Sequence, residues 1–219
     1  MIIEDWGTIA YGEAWNRQKI LNENLRNHKS HDEYLIFAEH PPVFTLGFHA
    51  NQQNLLVSSD ILKSKNIECF RIERGGDITF HGPGQLVVYP IMDLSTHKLG
   101  VKQYVHLLEK TVIQLLDIYN IKAYTDDSAI GVWLDWGLKE ARKICAIGIK
   151  ISRGVSMHGL ALNVNTDLDY FNLINPCGFT DKGVTSMEKE LYHPVDMDDV
   201  KSKFAQIFIG LLKNPVKGV

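Results

Sequence analysis

The stretch Arg74–Ile91, RGGDITFHGPGQLVVYPI, sets four glycines and a proline in its first eleven residues and then runs straight into an apolar segment. Glycine permits positive φ and close approach of backbone to a ligand, and proline stiffens a turn, so such a segment can aim N–H groups at a bound molecule. A phosphate-cradling loop would need a lysine and a serine or threonine after its last glycine, and then a helix. Here Gln85 and the strand-like LVVYPI follow instead. A dinucleotide fingerprint fails for the same reason, because no helix N-terminus follows to hold a pyrophosphate. The segment is therefore read as a glycine-rich turn that feeds a strand. A hairpin without chemical consequence is the alternative, and Arg74 and His81 within the segment weigh against it.

Working outward, EYLIFAEH (Glu33–His40) reads as a strand stopped by Pro41 and Pro42, since proline cannot donate to a ladder. IECFRI (Ile67–Ile72) reads as a further strand that delivers the chain to the glycines. A polar-rich helix is expected from Tyr11 to Arg26. The clearest helix lies between Val101 and Tyr119, where Val101, Val105, Leu108, Val112, Leu115, Leu116 and Tyr119 recur at helical spacing. A last helix follows HPVDMDD, with Val200, Phe204, Ile207, Phe208 and Leu211 as its stripe and Asp196, Asp198 and Asp199 at the positive end of its dipole. KICAIGIKI and GVSMHGLALNVN look like successive strands joined by SRG. The expected class is α/β (α+β): a mixed sheet flanked by helices, in one domain over residues 1–219.

Composition bounds the function. The 219 residues are 45% hydrophobic and 22% charged with a formal net charge of −3, ordinary values that exclude disordered and collagenous classes. Lysines and arginines are scattered, which disfavours nucleic-acid binding. MIIEDWGTIA carries two acids and no basic region ahead of an apolar run, so it does not read as a secretory signal. No run approaches the ~18 apolar residues of a membrane span, and a soluble cytoplasmic protein is expected. Cys69, Cys145 and Cys177, an odd number in a mid-sized chain, argue for reduced thiols. No C-x-x-C or H-x-x-x-H spacing occurs, so neither a metal nor another cofactor is expected.

RGGDITFHGPGQ, HPPVFTLG from His40, RKICAIGIK from Arg142, HGLALNVN from His158 and NPCG from Asn175 together resemble the lipoyl(octanoyl) transferase family, in the family's order and over nearly the whole chain. The resemblance implies a catalytic core like those of biotin and lipoate protein ligases. It also implies transfer of an octanoyl group from octanoyl-acyl carrier protein to a lysine of a lipoyl-accepting domain through a cysteine thioester. Acceptors would be lipoyl domains of 2-oxoacid dehydrogenases and the glycine cleavage H protein, with the enzyme acting as a monomer. Carried onto this chain, Cys177 would accept the acyl group and Lys143 would activate it. The substrate would be lined by Arg74, Gly75, Gly76, Asp77, Ile78, Thr79, Phe80 and His81, by Ala146, Ile147 and Gly148, and by Gly159, Leu160 and Ala161.

The residue chemistry agrees. Cys177 lies between Pro176 and Gly178, a turn-favouring context. A thiolate attacks a thioester readily, and the resulting acyl-enzyme stays reactive toward an amine. Cys69 and Cys145 lie in apolar strand-like runs where cysteine behaves as a small buried hydrophobe, although Cys145, two residues beyond Lys143, would share its strand face. For Lys143, service as a neutral base demands a pKa lowered from ~10.4 to near 7, roughly 4 to 5 kcal/mol. An ammonium beside a thiolate demands only about 2 kcal/mol, which favours the ion pair. For His81 a turn-stabilising bond and substrate contact are both open, and Arg74 is a candidate to pair with an acidic side chain and brace the loop. Lys139, Arg142, Lys150 and Arg153 are a candidate docking patch for acidic partners or an ordinary solvated face. An ATP-dependent lipoate or biotin ligase and a non-catalytic acyl-binding module are the competing functions.

Overall fold

The structure, a computed structural model, describes residues 1–175 and 182–213. In chain order the elements are β1 (Ile2–Thr8), α1 (Tyr11–Arg26), β2 (Tyr34–Glu39), β3 (Val43–Leu46), α2 (Ser59–Ser64), β4 (Glu68–Arg71), β5 (Ile78–His81) and β6 (Gln85–Ile91). There follow α3 (Val101–Ile118), β7 (Val132–Leu134), β8 (Arg142–Ser152), β9 (Val155–Asn163), β10 (Gly183–Val184), α4 (Met187–Leu191) and α5 (Met197–Lys213). The large sheet has the order β1-β2-β6-β9-β8-β10, with β7 also pairing with β8, and a small sheet has the order β4-β3-β5. In the large sheet β1–β2 and β8–β10 are parallel and the other pairs antiparallel, which makes the sheet mixed as expected.

Alternation sorts the large sheet into two covered faces. Leu35, Phe37, Leu86, Val88, Leu160 and Leu162 pack against Leu108, Val112, Leu115 and Leu116 of α3 and Phe204 and Phe208 of α5. The intervening positions Ile36, Ala38, Val87, Tyr89, Met157 and Ala161 face Ala14 and Leu25 of α1. Phe204 meets Phe37 edge-on with ring centroids 6.0 Å apart, the T-shaped geometry that aromatic quadrupoles favour. The start of α5 is capped by Asp196, whose Oδ1 accepts from the Asp198 N–H at 2.9 Å. Truncating Phe204, fully buried between sheet and α3, is expected to cost about 3 to 4 kcal/mol, read as a lower denaturant midpoint at unchanged slope.

The structure corrects two expectations. The glycine-rich stretch is not one turn: β5 interrupts it and pairs antiparallel with β3, so Thr79 and Phe80 lie opposite Thr45 and Phe44 in the small sheet. Cys69 is exposed on β4, an edge strand of that sheet, whereas Phe44 on the central strand β3 and Phe80 on the opposite edge, β5, are buried in the local core.

Candidate active site

A cleft of about 560 Å³ opens between the two sheets. Of the residues expected to line substrate, Arg74 to Thr79, His81, Ala146 to Gly148 and Gly159 to Ala161 all border it, together with Lys143. Phe80 does not. It is buried in the small-sheet core, stacked on the Tyr170 ring with centroids 4.5 Å apart, because β alternation turns it away from its neighbours Thr79 and His81. The second and third stretches, far apart in sequence, are direct cross-strand partners: Ala146 faces Ala161, Ile147 faces Leu160 and Gly148 faces Gly159.

Bare backbone at that last pair lets other segments in. A Cβ on Gly148 would stand 2.9 Å from Arg74 Cδ and 3.0 Å from the Gly75 carbonyl, so the glycine loop lies directly on β8. The Gly75 N–H donates to the Ile149 carbonyl at 2.9 Å, which commits that amide to docking and removes it as a candidate oxyanion donor. A Cβ on Gly159 would sit 2.0 Å from the Val88 carbonyl on β6, where only backbone can move aside. Gly159→Ala is therefore expected to destabilise the protein by about 3 kcal/mol through overpacking at the centre of the sheet, measured by urea denaturation.

Arg74 is the brace the sequence suggested, tying the glycine loop to β3. Its Nη2 donates to the Thr45 carbonyl at 2.7 Å and to Thr45 Oγ1 at 3.0 Å, and its Nη1 donates to the Gly75 carbonyl at 2.9 Å. With Thr45 Oγ1 accepting from the guanidinium, its own proton is directed to His81 Nε2 at 3.3 Å. Nδ1 of His81 then donates to Gln85 Oε1 at 2.8 Å. Gln85 Nε2 donates to Asn163 Oδ1 at 2.9 Å, and Asn163 Nδ2 donates to the Thr185 carbonyl at 2.9 Å. This buried chain ties the small sheet to the strand after the Cys177 segment. Burial, with the His40 imidazole nearby, drives His81 down to about 3, so it is neutral at pH 7 and acts here as a hydrogen-bond relay bordering the cleft. Thr45→Val keeps the shape but strands donors of Arg74 and an acceptor of His81, and should cost about 2 kcal/mol in chemical denaturation.

Lys143 is held on both sides, opposite Trp133 of β7 and Val184 of β10. Its Nζ donates to the Ile130 carbonyl at 3.2 Å and stands 4.5 Å over the Trp133 ring, a cation–π contact that leaves the ammonium at the cleft wall. Trp133 is fixed in turn by donating from Nε1 to the Ala129 carbonyl at 2.7 Å, and Glu109 Oε1 accepts from the Gly131 N–H at 3.2 Å. A register shift between Val132 and Trp133 opposes Cys145 to Val132 and Lys143 to Trp133, a bulge that breaks the strand alternation. Lys143 thus borders the cleft while Cys145 is fully buried in the main core with its thiol pushed up by burial. The shared strand face expected for the two residues is not formed, and Cys145 does not border the cleft.

Cys177 lies outside the described residues. Its described flanks are pinned: the Asn175 N–H donates to the Asn54 carbonyl at 2.8 Å, and Lys182, Gly183 and Val184 border the cleft beside Lys143. Of the expected docking patch, Arg142 is committed to Glu190 and Asp135, and Lys150 pairs with Glu73 at 3.1 Å, so two of the four charges serve internal ion pairs. Among the described residues no cluster of three or more His, Cys, Asp or Glu is arranged to hold a metal, and no helix is long and apolar enough to cross a membrane. Thr45, Gln85 and Asn163 were missed as site residues, although all three lie inside the quoted motifs and are the polar side chains there that strand burial would force into partnership.

The mixed sheet thus carries a mostly apolar cleft that is walled in part by small residues and bordered by a lysine, a shape that suits an apolar chain. Residues 10–209 match the family model described as the Lipoyl protein ligase A/B catalytic domain. Among curated relatives, an octanoyltransferase of Bacteroides thetaiotaomicron is 50% identical over 99% of this chain and 96% of its own length. One of Parabacteroides distasonis is 49% identical over 94% and 95% respectively. The chain belongs to the octanoyltransferase family, acyltransferases within the lipoyl protein ligase A/B group. In fold it resembles a bipartite lipoate protein ligase of Thermoplasma acidophilum, with a TM-score of 0.71 at 17% identity over 97% of this chain and 83% of that one. A lipoate-protein ligase A bound with ATP gives 0.70 at 16% identity over 97% and 84%.

Proposed function

We propose that the protein transfers an octanoyl group from acyl carrier protein to a lysine of lipoyl domains and of the glycine cleavage H protein, through a thioester on Cys177. The observation that carries this reading is Lys143 at the head of the acyl-sized cleft, next to the strand that follows the Cys177 segment, in a chain half identical to octanoyltransferases. The Cys177 thiolate attacks the donor carbonyl, the carrier's thiolate leaves and takes a proton from the Lys143 ammonium, and the octanoyl group remains on the Cys177 sulfur. The acceptor amine then attacks that thioester, an amide forms, and the proton lost by the amine returns to the Cys177 sulfur by way of Lys143. Thioester to amide runs downhill, so ATP is not consumed. Arg74 to Thr79, His81, Ala146 to Gly148 and Gly159 to Ala161 would hold the chain, which gains roughly 0.8 kcal/mol per buried CH₂. The enzyme would work as a single-domain monomer in the cytoplasm.

The test is intact mass spectrometry of the protein mixed with octanoyl-acyl carrier protein without ATP. One hydroxylamine-labile octanoyl adduct, discharged on adding a lipoyl domain, is the expected result. No adduct without ATP, with lipoyl-domain modification appearing once ATP and free octanoate are supplied, would overturn the transferase reading in favour of ligation.

A further inference from the structure

The helix α3 packs its apolar face on the large sheet, yet it buries a carboxylate as well: Glu109, between Leu108 and Val112, is 4% exposed. A charge taken out of water is costly unless it is hydrogen-bonded and paired, so a buried glutamate on a core helix needs a reason. Its Oε2 accepts from His106 Nδ1 at 3.0 Å, and Nε2 of that imidazole stands 3.6 Å from Asp127 Oδ1. Its Oε1 accepts from the Gly131 N–H at 3.2 Å. That N–H and the Ile130 carbonyl belong to one peptide group, and the carbonyl is the acceptor for Lys143 Nζ, also at 3.2 Å.

The peptide is trans, so its N–H and its carbonyl point in opposite directions. A single peptide plane therefore stands between the Glu109 carboxylate and the Lys143 ammonium, with its N–H on the anion and its oxygen on the cation. Charge at each end polarises the group, so each bond strengthens the other. Gly131 makes the close approach possible. Its φ is +124°, and a Cβ there would lie 2.6 Å from the Cys145 carbonyl and 3.3 Å from Lys143 Cε. We propose that Glu109 is a positioning residue for acyl transfer: acting through the peptide between Ile130 and Gly131, it fixes the Lys143 ammonium over Trp133 at the cleft wall. Glu109 does not border the cleft, so it reaches the chemistry only through Lys143. The effect on rate rests on reading Lys143 as the partner of Cys177 in the transfer, whereas the effect on the place of Lys143 does not.

Proton NMR of the Lys143 Hε atoms, assigned by their loss in Lys143→Met, reads that place directly, because protons over the face of an indole are shifted upfield. In the wild type they should lie upfield of those of an exposed lysine, since Nζ stands 4.5 Å over the Trp133 ring. Glu109→Leu, which fills the volume and accepts nothing, should return them toward the exposed position. Glu109→Gln, which keeps an oxygen for the Gly131 N–H, should hold them upfield. If leucine unfolds the protein, Glu109→Asp, shorter by one methylene, is the second variant, with the same return expected. Octanoyl transfer is followed alongside. Glu109→Leu should lower its rate by about ten- to a hundredfold at unchanged KM for the acyl donor, with Glu109→Gln restoring most of it. The same substitution added to Lys143→Met should cost less than about twofold, because the group it places is already gone. Hε resonances that are not upfield in the wild type, or that stay put in Glu109→Leu and Glu109→Asp, overturn the inference. So do a glutamine variant as impaired as leucine and losses that simply add in the double variant, the mark of a structural role alone. A wild type that transfers nothing overturns the transferase reading, and the resonances still decide whether Glu109 places Lys143.

Discussion

Cys177→Ala is expected to form no octanoyl adduct and to lose transfer by on the order of 10⁴-fold or more, because removing the proposed nucleophile leaves only binding and charge stabilisation. Lys143→Met is the more informative partner. It keeps a side chain of similar length over Trp133 but removes the ammonium that stands 4.5 Å from that ring. Acylation should fall by about 10² to 10³-fold, the range of a lost proton-transfer or charge partner. Iodoacetamide alkylation of Cys177 against pH separates the two roles proposed for the lysine. If the ammonium stabilises the thiolate, the alkylation midpoint in Lys143→Met rises toward the ordinary ~8.5 of a free thiol. A midpoint equal to wild type would sink the ion pair. A rate loss confined to the amine-transfer half-reaction would then leave Lys143 as a base for the acceptor alone.

The elements legible in the sequence are those whose period survives long enough to be counted. The helices α1, α3 and α5 show it over many turns, and β2, β8 and β9 are long and apolar, so their places were foreseen to within two or three residues. Of the short strands β4 was foreseen, inside Ile67–Ile72, and the others were not. β1 is largely exposed with polar residues on both faces, and β3, β5, β7 and β10 have two to four residues each, too few to establish alternation. They matter to the site, since β5 carries Thr79 and His81, and β7 and β10 grip Lys143. Motif resemblance reached further than periodicity, because it named stretches that proved to be cross-strand neighbours. It could not separate Phe80 from the lining, nor Cys145 from Lys143. Both follow from which face a side chain takes, and a bulge that reverses that face leaves no mark in sequence.

Two neutral histidines of the cleft, His81 and His158, together with buried His40, should make the protein acid-sensitive well above the carboxylate range. His40 is fully buried, with its ring nitrogens on the Ile9 carbonyl at 2.7 Å and the Tyr89 hydroxyl at 2.6 Å. Desolvation lowers it to about 4, while His81 and His158 lie at about 3. In the unfolded chain each returns to ~6.5 and binds a proton below that pH, which the folded state refuses. Above ~6.5 both states are neutral there and nothing is lost; as pH falls toward the folded values the unfolded state gains, so stability must decline. From pH 7 to pH 5 each histidine removes up to about 2 kcal/mol, and the three together about 5 kcal/mol, a large share of the ~5 to 15 kcal/mol typical of a domain. Glu73 and Glu190, also lowered, act in the same direction only near and below the ordinary ~4.3 of glutamate, so the loss at pH 5 belongs to the histidines. Urea denaturation across this range should show the midpoint falling steeply, with a slope near pH 5 equivalent to the three protons taken up on unfolding by His40, His81 and His158. A midpoint that holds steady to pH 5 would mean that the three imidazoles reach water in the folded protein, and with that the polar floor of the cleft would have to be redrawn.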